Sequence, residues 1–424
     1  MFKAVAGYYK DNERLRLLVK IIAVWLISRA VMLLMVPVMN LIADEPHQWL
    51  YYMNPWDAEW YKGIVENGYQ PPKSSGMASW AFFPLYPLVC MAVRLVTMGS
   101  IDTYAVGMTV SNICIIIAVY YAVKYADIEL DMKKYNKKTV EDIIIFLMLA
   151  GPFAVYYGAM YTEALFILCV ILCFYNSARH NYMAAGIAAA MASATRIVGC
   201  MLVFVLITYM FMETCAECRA KHNSEMKDNK EAGIIDKCML IEEAGILIAG
   251  NISLASVIRT FIKNVIKEPK KLVAIMISPL GIFIYMNYLR YFCGDSWAFY
   301  HVQRAWRTQK MFPVIGVLFK SCTGQLSAAS GVKTLNGIIL GWLCVITLML
   351  YAAMIRKKHY ALGIFGIIVL LIPLTSSVMS TLRFIMGSFV IYIGVAEIIA
   401  GCNRYVRYGI CLLYTSPSPR DYAA

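Results

Sequence analysis

Charged residues are scarce in this 424-residue sequence: Asp, Glu, Lys and Arg make up 15% of it, against roughly 25% in soluble domains. Hydrophobic residues make up 60%, and the mean hydropathy is +0.62. Several apolar stretches reach the length of about 20 residues that a helix needs to cross the hydrocarbon core of a bilayer. None shows the strict alternation of a membrane β-barrel strand. The composition excludes an ordinary soluble domain and predicts an all-α polytopic membrane protein.

Signatures of several common ligand sites are also missing. The sequence has no Gly-x-Gly-x-x-Gly motif for a dinucleotide, and it contains only five histidines. Its one Cys-x-x-Cys pair, Cys215 and Cys218, has only Cys238 and His222 nearby, which favours loop cysteines over a zinc site. The net charge of +13 lies mainly between apolar stretches, where Lys and Arg orient a membrane protein. This placement argues against a nucleic-acid partner.

The positive-inside rule orients the apolar stretches. With the amino terminus inside, one topology places every strongly basic segment in the cytoplasm: residues 1–19, 125–142, 213–271 and 356–359. It predicts a single transmembrane domain over residues 1–411, with about ten spanning helices. Residues 43–103 then form an outer loop, and residues 213–271 form a cytoplasmic insertion. Residues 412–424 abandon the apolar pattern abruptly and are expected to be a non-native tail.

Three stretches depart from simple spans. Residues 81–98 are apolar but contain Pro84, Pro87 and Arg94, so we predict a helix that does not cross the membrane. Residues 183–212 are interrupted near Arg196, which predicts two shorter helices that fold back and line a cavity.

The third stretch lies within the insertion. Leu254, Ile258, Phe261 and Val265 share one helix face, opposite three basic residues, as in a helix that lies on the membrane surface. A solvated helix between spans fits the same short pattern equally well.

The predicted topology gathers unusual polar residues on the outer side: Asp57, Glu59, Glu163, Arg196, Gln303 and Arg383. A carboxylate there could accept a proton from a hydroxyl, and arginines could hold an anionic phosphate. On a helix, Asp57 and Glu59 diverge by roughly 200°, so only one of them can face a given acceptor. The alternative is that the arginines pair with Asp57 and Glu163 and stabilise the helix bundle.

Five sequence patches, in order, resemble one family of membrane enzymes. They are WDAEWY with GYQ and AFFPLYPL, then YTEALF, SATRIVG, GDSWAFYHVQRAW and STLRFIMGSF, and together they cover most of residues 54–400. The sequence is similar here to the PIG-V-like mannosyltransferases, integral-membrane enzymes of the GT-C class. The insertion lies outside these patches.

The resemblance implies a GT-C-like helical bundle that transfers a sugar, mannose, from a polyprenyl-phosphate donor to a hydroxyl of a glycan or glycolipid. It also implies that no cofactor or metal is needed. Asp57 matches the acid that serves as general base in the family, and Glu163 is the competing candidate. The expected substrate-binding residues are Trp56, Glu59, Tyr61, Phe83, Tyr86, Tyr161, Arg196, Gln303, Trp306 and Arg383, with the arginines assigned to the lipid phosphate on their charge.

The expected location is a bacterial plasma membrane, among its lipids, with the active site facing outward. Two other functions use the same features. A lipid-linked sugar flippase would use the same cavity without covalent chemistry, although no inverted repeat is evident in the sequence. An assembly subunit with a degenerate site is the other alternative.

Overall fold

A computed structural model describes residues 12–42, 48–72, 76–228, 253–305, 313–325, 334–375, 378 and 381–403. Within these ranges the regular structure is entirely helical, which confirms the predicted all-α class. Trp306 and the tail 412–424 lie outside the described residues.

In the first half of the chain, the described residues form ten helices. They are α1 (Glu13–Ile42), α2 (Trp49–Met53), α3 (Asp57–Asn67), α4 (Leu85–Val96), α5 (Thr103–Glu129), α6 (Lys137–Leu149), α7 (Ala154–Gly158), α8 (Glu163–Ala178), α9 (Tyr182–Ser193) and α10 (Leu202–Asp228). Two 3₁₀ turns, Ser79–Ala81 and Ile197–Met201, precede α4 and α10.

The second half contributes nine helices among the described residues. They are α11 (Leu254–Lys267), α12 (Pro269–Ile277), α13 (Leu280–Cys293), α14 (Ala298–His301), α15 (Val314–Cys322), α16 (Thr334–Arg356), α17 (Tyr360–Leu374), α18 (Thr381–Gly387) and α19 (Val390–Gly401). A 3₁₀ turn, Val302–Ala305, follows α14.

Length and apolar composition identify the spanning helices. In the described part of the chain, α1, α5, α10 with its preceding turn, and α16 can each cross a membrane. Two bent pairs, α12 with α13 at 42° and α18 with α19 at 70°, qualify as broken spans. Four shorter apolar helices, α4, α8, α9 and α17, accompany them. The chain is an integral membrane protein.

Helix α8 forms the centre of the bundle. It packs against α5, α9 and α10, and most of its side chains are buried, including Phe166 and Phe174. By contrast, α1 leaves Leu26, Ile27 and Leu34 exposed, as expected of a helix that faces lipid. The core therefore surrounds α8, and Glu163 at its first residue lies inside the protein.

Two of the unusual stretches contain the short helix and the break that the sequence predicts. Helix α4 begins directly after Pro84 and has 12 residues. It is about 18 Å long and too short to cross the hydrocarbon core alone. The apolar stretch 183–212 breaks after Ser193, and Arg196 precedes the turn into α10 in an extended conformation.

One expectation about this break is wrong. The second segment is not a short returning helix, because α10 continues to Asp228 and is itself long enough to span. Its charged end is rich in Glu, Lys, Arg and Ala, which favour helix once the chain has left the apolar layer. The break itself depends on Gly199: a Cβ there would lie 2.3 Å from the Ala192 backbone carbon.

Candidate functional site

Hydrogen bonds from the segment that leads into α8 hold the loop before α3 in place. The Asn54 Oδ1 accepts a hydrogen bond from the Met160 N–H at 2.7 Å. The Tyr161 hydroxyl donates to the Pro55 carbonyl at 2.5 Å and accepts from the Asp57 N–H at 3.2 Å. These bonds attach the first turn of α3 to the start of α8, so Asp57 and Glu163 are positioned by the same contacts.

The backbone is strained immediately before Asp57. Trp56 has φ of 49° and ψ of −102°, a conformation that side chains other than glycine rarely adopt. Such strain persists only where the surrounding contacts impose it, and it is common at functional sites. Here the bonds from Tyr161 and Asn54 impose it, and the turn aims the Asp57 side chain toward α18.

Arg383 on α18 bridges two carboxylates. Its Nη1 donates to Asp57 Oδ2 at 2.5 Å, and its Nε donates to Glu163 Oε1 at 2.7 Å. Its Nη2 lies 2.6 Å from the same Glu163 oxygen. The guanidinium therefore holds the partly exposed Asp57 and the buried Glu163 at one point.

Arg196 reaches the same buried acid from the break between α9 and α10. Its Nη1 lies 2.9 Å from Glu163 Oε1 but is not aimed at it, so the contact is an ion pair without a directed hydrogen bond. One carboxylate oxygen thus attracts two guanidinium groups. Together, Asp57, Glu163, Arg196 and Arg383 form a cluster of two carboxylates and two guanidinium groups. We call it the outer cluster, after the membrane side on which the sequence predicts these residues.

The outer cluster leaves two buried polar atoms without a hydrogen-bond partner, Glu163 Oε2 and Arg196 Nη1. A buried polar atom without a partner costs about 1–3 kcal/mol, so native structures rarely leave one without a reason. Two in one cluster point to a ligand or ordered water that completes it.

The four side chains of the outer cluster differ in their exposure to solvent. The exposed fraction of the side chain is 31% at Asp57, 21% at Arg383, 16% at Arg196 and 0% at Glu163. A substrate can therefore reach the Asp57 carboxylate directly, whereas Glu163 is accessible only through its arginine partners.

Aromatic rings surround both guanidinium groups. Arg383 lies over the rings of Tyr156 and Tyr161, at 5.7 and 5.2 Å, and Arg196 lies over Phe384 at 5.3 Å. The faces of these aromatic rings attract cations and fix the orientation of each guanidinium group. Tyr156 was not among the site residues predicted from the sequence. Its position two residues before the turn at Gly158, in an otherwise apolar stretch, is the only signal that could have suggested it.

Tyr61 supports the cluster from α3. Its hydroxyl lies 3.3 Å from the Thr162 hydroxyl, next to Glu163. Burial, together with the carboxylates of Glu163 and Asp57, raises the pKa of the Tyr61 hydroxyl well above its ordinary value. The phenol therefore stays neutral and serves as a hydrogen-bonding group rather than as a base.

Asp57 and Glu59 point in different directions, as their spacing predicts. Glu59 is exposed and accepts a hydrogen bond from the Tyr104 hydroxyl on α5. Lys62 lies 4.8 Å above the same Tyr104 ring. Trp56 is 55% exposed and is free to contact a ligand at the rim.

The other predicted residues lie farther from the carboxylates. Tyr86 is fully buried behind Tyr61, with ring centroids 5.4 Å apart, and donates to the Gly107 carbonyl. Phe83 belongs to a separate buried cluster, in contact with Tyr285 and Phe299 on α13 and α14. Among the contacts described, these residues touch no member of the outer cluster.

Gln303 lies on the 3₁₀ turn after α14, which packs against the turn Ser79–Ala81. No described hydrogen bond or ion pair links Gln303 to Asp57. Trp306 lies outside the described residues. In the described ranges, no group of three or more His, Cys, Asp or Glu side chains is arranged to hold a metal ion.

A family-level sequence profile, described as mannosyltransferase (PIG-V), matches residues 14–232, just over half of the chain. The chain belongs to this mannosyltransferase family. The matched residues include Asp57, Glu163 and Arg196, whereas Arg383 lies beyond them. A search of curated protein sequences finds no significant match.

Two solved structures are similar over 96% of this chain. One is the oligosaccharyltransferase AglB of Archaeoglobus fulgidus in complex with an inhibitory peptide and a dolichol-phosphate, with a TM-score of 0.47 and 11% identity. The other is an A. fulgidus oligosaccharyltransferase tethered to an acceptor peptide, with a TM-score of 0.45 and 14% identity. The chain spans 54% of the length of each, about half.

Proposed function

We propose that this protein is a glycosyltransferase that moves a sugar, mannose, from a polyprenyl-phosphate donor to an acceptor hydroxyl on the non-cytoplasmic face. Family membership supports the class of reaction. The observation that carries the proposal is the outer cluster: an accessible carboxylate beside two guanidinium groups, with two buried polar atoms unpartnered. An acid that accepts a proton and a cationic site for a phosphate are the two parts this transfer needs.

In the proposed reaction, the acceptor oxygen attacks the anomeric carbon of the sugar, and the bond from that carbon to the phosphate oxygen breaks. The phosphate leaves with the electron pair, and the acceptor proton passes to Asp57. Arg196 and Arg383 stabilise the charge that develops on the phosphate, because guanidinium forks bind phosphate oxygens through two parallel hydrogen bonds.

The pairing of Asp57 with Arg383 couples these two roles. In this structure, Arg383 Nη1 donates to Asp57 Oδ2. A donor phosphate that takes this nitrogen would displace the carboxylate and leave it free to accept a proton. Asp57 would then become an effective base only when the donor is present.

Glu163 serves in this proposal as a positioning residue. It is completely buried, and its Oε1 contacts both arginines, so it holds two like charges together. Its place at the first residue of α8 favours a carboxylate, since the helix dipole is positive there.

The test is incubation of the purified protein with labelled polyprenyl-phosphate mannose and a panel of glycan and glycolipid acceptors. We expect a labelled product with the wild type and loss of product with Asp57→Asn. Glu59→Gln is the matched control, because it removes a carboxylate two residues away that faces α5.

Native mass spectrometry with polyprenyl phosphate separates binding from chemistry. Asp57→Asn should retain the lipid, whereas Arg383→Gln should lose it. Movement of the labelled donor across a vesicle membrane without any product would replace the enzyme proposal by the flippase alternative.

A further inference from the structure

Helix α11 presents an apolar stripe that is exposed among the residues that the structure describes. One face, formed by Val257, Phe261 and Val265, packs on α10, where the rings of Phe211 and Phe261 are 5.6 Å apart. Asn264 adds a hydrogen bond to Glu217 at 2.9 Å. The adjoining face carries four large aliphatic side chains, each between 42% and 65% exposed: Leu254, Ile258, Ile262 and Ile266.

A row of basic residues borders this stripe on the side away from α10. Arg259, Lys263 and Lys267 are exposed and make no ion pair within the described residues. With about 100° between successive residues, the three faces follow one another around the helix: packed, apolar, basic. An amphipathic helix with this order is typical of the membrane interface, where the apolar stripe enters the acyl boundary and the basic row stays at the headgroups.

The apolar stripe is continuous with a surface that faces lipid. Only Glu268 separates α11 from α12, the first half of a broken span. Leu272, Val273 and Met276 on α12 are exposed in the same way. If α12 enters the bilayer as the first half of a span, α11 lies at the level of the adjacent headgroups.

We infer that the exposed stripe of α11 is a binding surface for the bilayer, and that its basic row selects anionic lipids in the leaflet where α12 begins. Charge argues for lipid over a second copy of the chain, because two copies of this stripe would bring their basic rows together. Soluble proteins rarely expose an aliphatic patch of this kind to water. The inference is independent of the proposed reaction.

Photo-crosslinking in the full-length protein tests the surface directly. The protein is reconstituted in nanodiscs of equimolar phosphatidylglycerol and phosphatidylcholine, with Ile262→benzoylphenylalanine as the probe. Thr260→benzoylphenylalanine is the matched control, because two residues rotate the side chain by about 200°. Intact-mass spectrometry then identifies any lipid adduct.

We expect a lipid adduct at position 262 and none at position 260. The phosphatidylglycerol adduct should exceed the phosphatidylcholine adduct by roughly fivefold or more, the scale for one basic side chain near an anionic surface. Combining R259Q, K263Q and K267Q with the probe should reduce this ratio toward one while the adduct persists.

Several outcomes would overturn the inference. A probe at 262 that reacts with residues 229–252, or that links two copies of the chain, would assign the stripe to protein. Equal adduct yields at positions 260 and 262 would contradict an oriented contact with the membrane. Equal yields of the two lipid adducts in the protein that keeps its three basic residues would contradict selectivity for anionic lipids.

Discussion

Two of the ionic clusters among the described residues differ in how completely their polar atoms are paired. The second cluster, which we call the inner cluster, joins Glu129, Lys357, His359 and Glu397. Glu129 accepts from His359 at 2.8 Å and from the hydroxyls of Tyr125 and Tyr209 at 3.0 and 3.2 Å. Glu397 pairs with Lys357 and accepts from Tyr135, both at 3.1 Å.

None of the side-chain nitrogens and oxygens described for the inner cluster is buried without a partner, whereas the outer cluster has two such atoms. The outer cluster also follows a strained residue, Trp56. A network whose atoms are all satisfied rigidifies a core, whereas unpaired buried atoms beside a strained residue are typical of a functional site. Incomplete pairing therefore distinguishes the candidate site from the inner cluster in this bundle.

The largest expected effect concerns Glu163. Glu163→Gln leaves two buried guanidinium groups with only Asp57 as counter-charge, so the free energy of unfolding should fall by about 3–5 kcal/mol. The turnover of the donor by Glu163→Gln should also fall when it is measured at the same concentration of folded protein as the wild type. Glu397→Gln, the matched change in the inner cluster, should lower stability while the remaining folded protein keeps its turnover. Loss of turnover in folded Glu397→Gln would break the distinction between the clusters.

The inner cluster should respond to alkaline pH. Burial opposes the charged form of His359, but its bonds with Glu129 and Glu397 outweigh burial and raise its pKa to about 9, above the ordinary value of 6.5. The stabilisation is therefore complete below pH ~6.5 and is lost as the pH rises through ~9, by about 3 kcal/mol.

Unfolding by denaturing detergent at a series of pH values measures this loss. His359→Gln should flatten the profile between pH ~6.5 and ~9. A profile that keeps its slope in this variant would assign the pH dependence to another group.

Asp57→Asn should lower turnover by about 10²-fold or more, because the amide keeps the size of the side chain but cannot accept a proton. Steady-state transfer from polyprenyl-phosphate mannose measures it. Glu59→Gln should change turnover by less than about twofold, since that side chain is exposed and points elsewhere. If Asp57→Asn transferred sugar at the wild-type rate while Glu163→Gln folded normally and did not, Glu163 would be the base.

The smallest expected effect is that of Arg383→Lys. The ammonium keeps the charge but loses the planar fork that spans Asp57 and Glu163, so the donor KM should rise by roughly tenfold. Lys357→Arg is the control in the inner cluster and should leave the donor KM unchanged. An unchanged donor KM in Arg383→Lys would show that the phosphate does not depend on this fork.

Much of the fold could be predicted from local pattern. Apolar stretches of spanning length, the prolines at 84 and 87, and the interruption near Arg196 each specify a helix or its end through short-range physics. The extent of α10 could not be predicted this way, because its charged end continues the helix after the apolar signal stops. Hydropathy reports the environment of a helix, not its length.

For the site, the chemically unusual residues can be identified from sequence alone, because acids and arginines in apolar surroundings are costly to bury. How they pair depends on the tertiary structure. Arg383 lies 326 residues from Asp57 and 220 from Glu163 along the chain, and no local pattern encodes contacts of that separation. The packing of α18 against α8 brings them together, buries Glu163 completely and leaves Asp57 open. Which carboxylate a substrate can reach is a property of that packing.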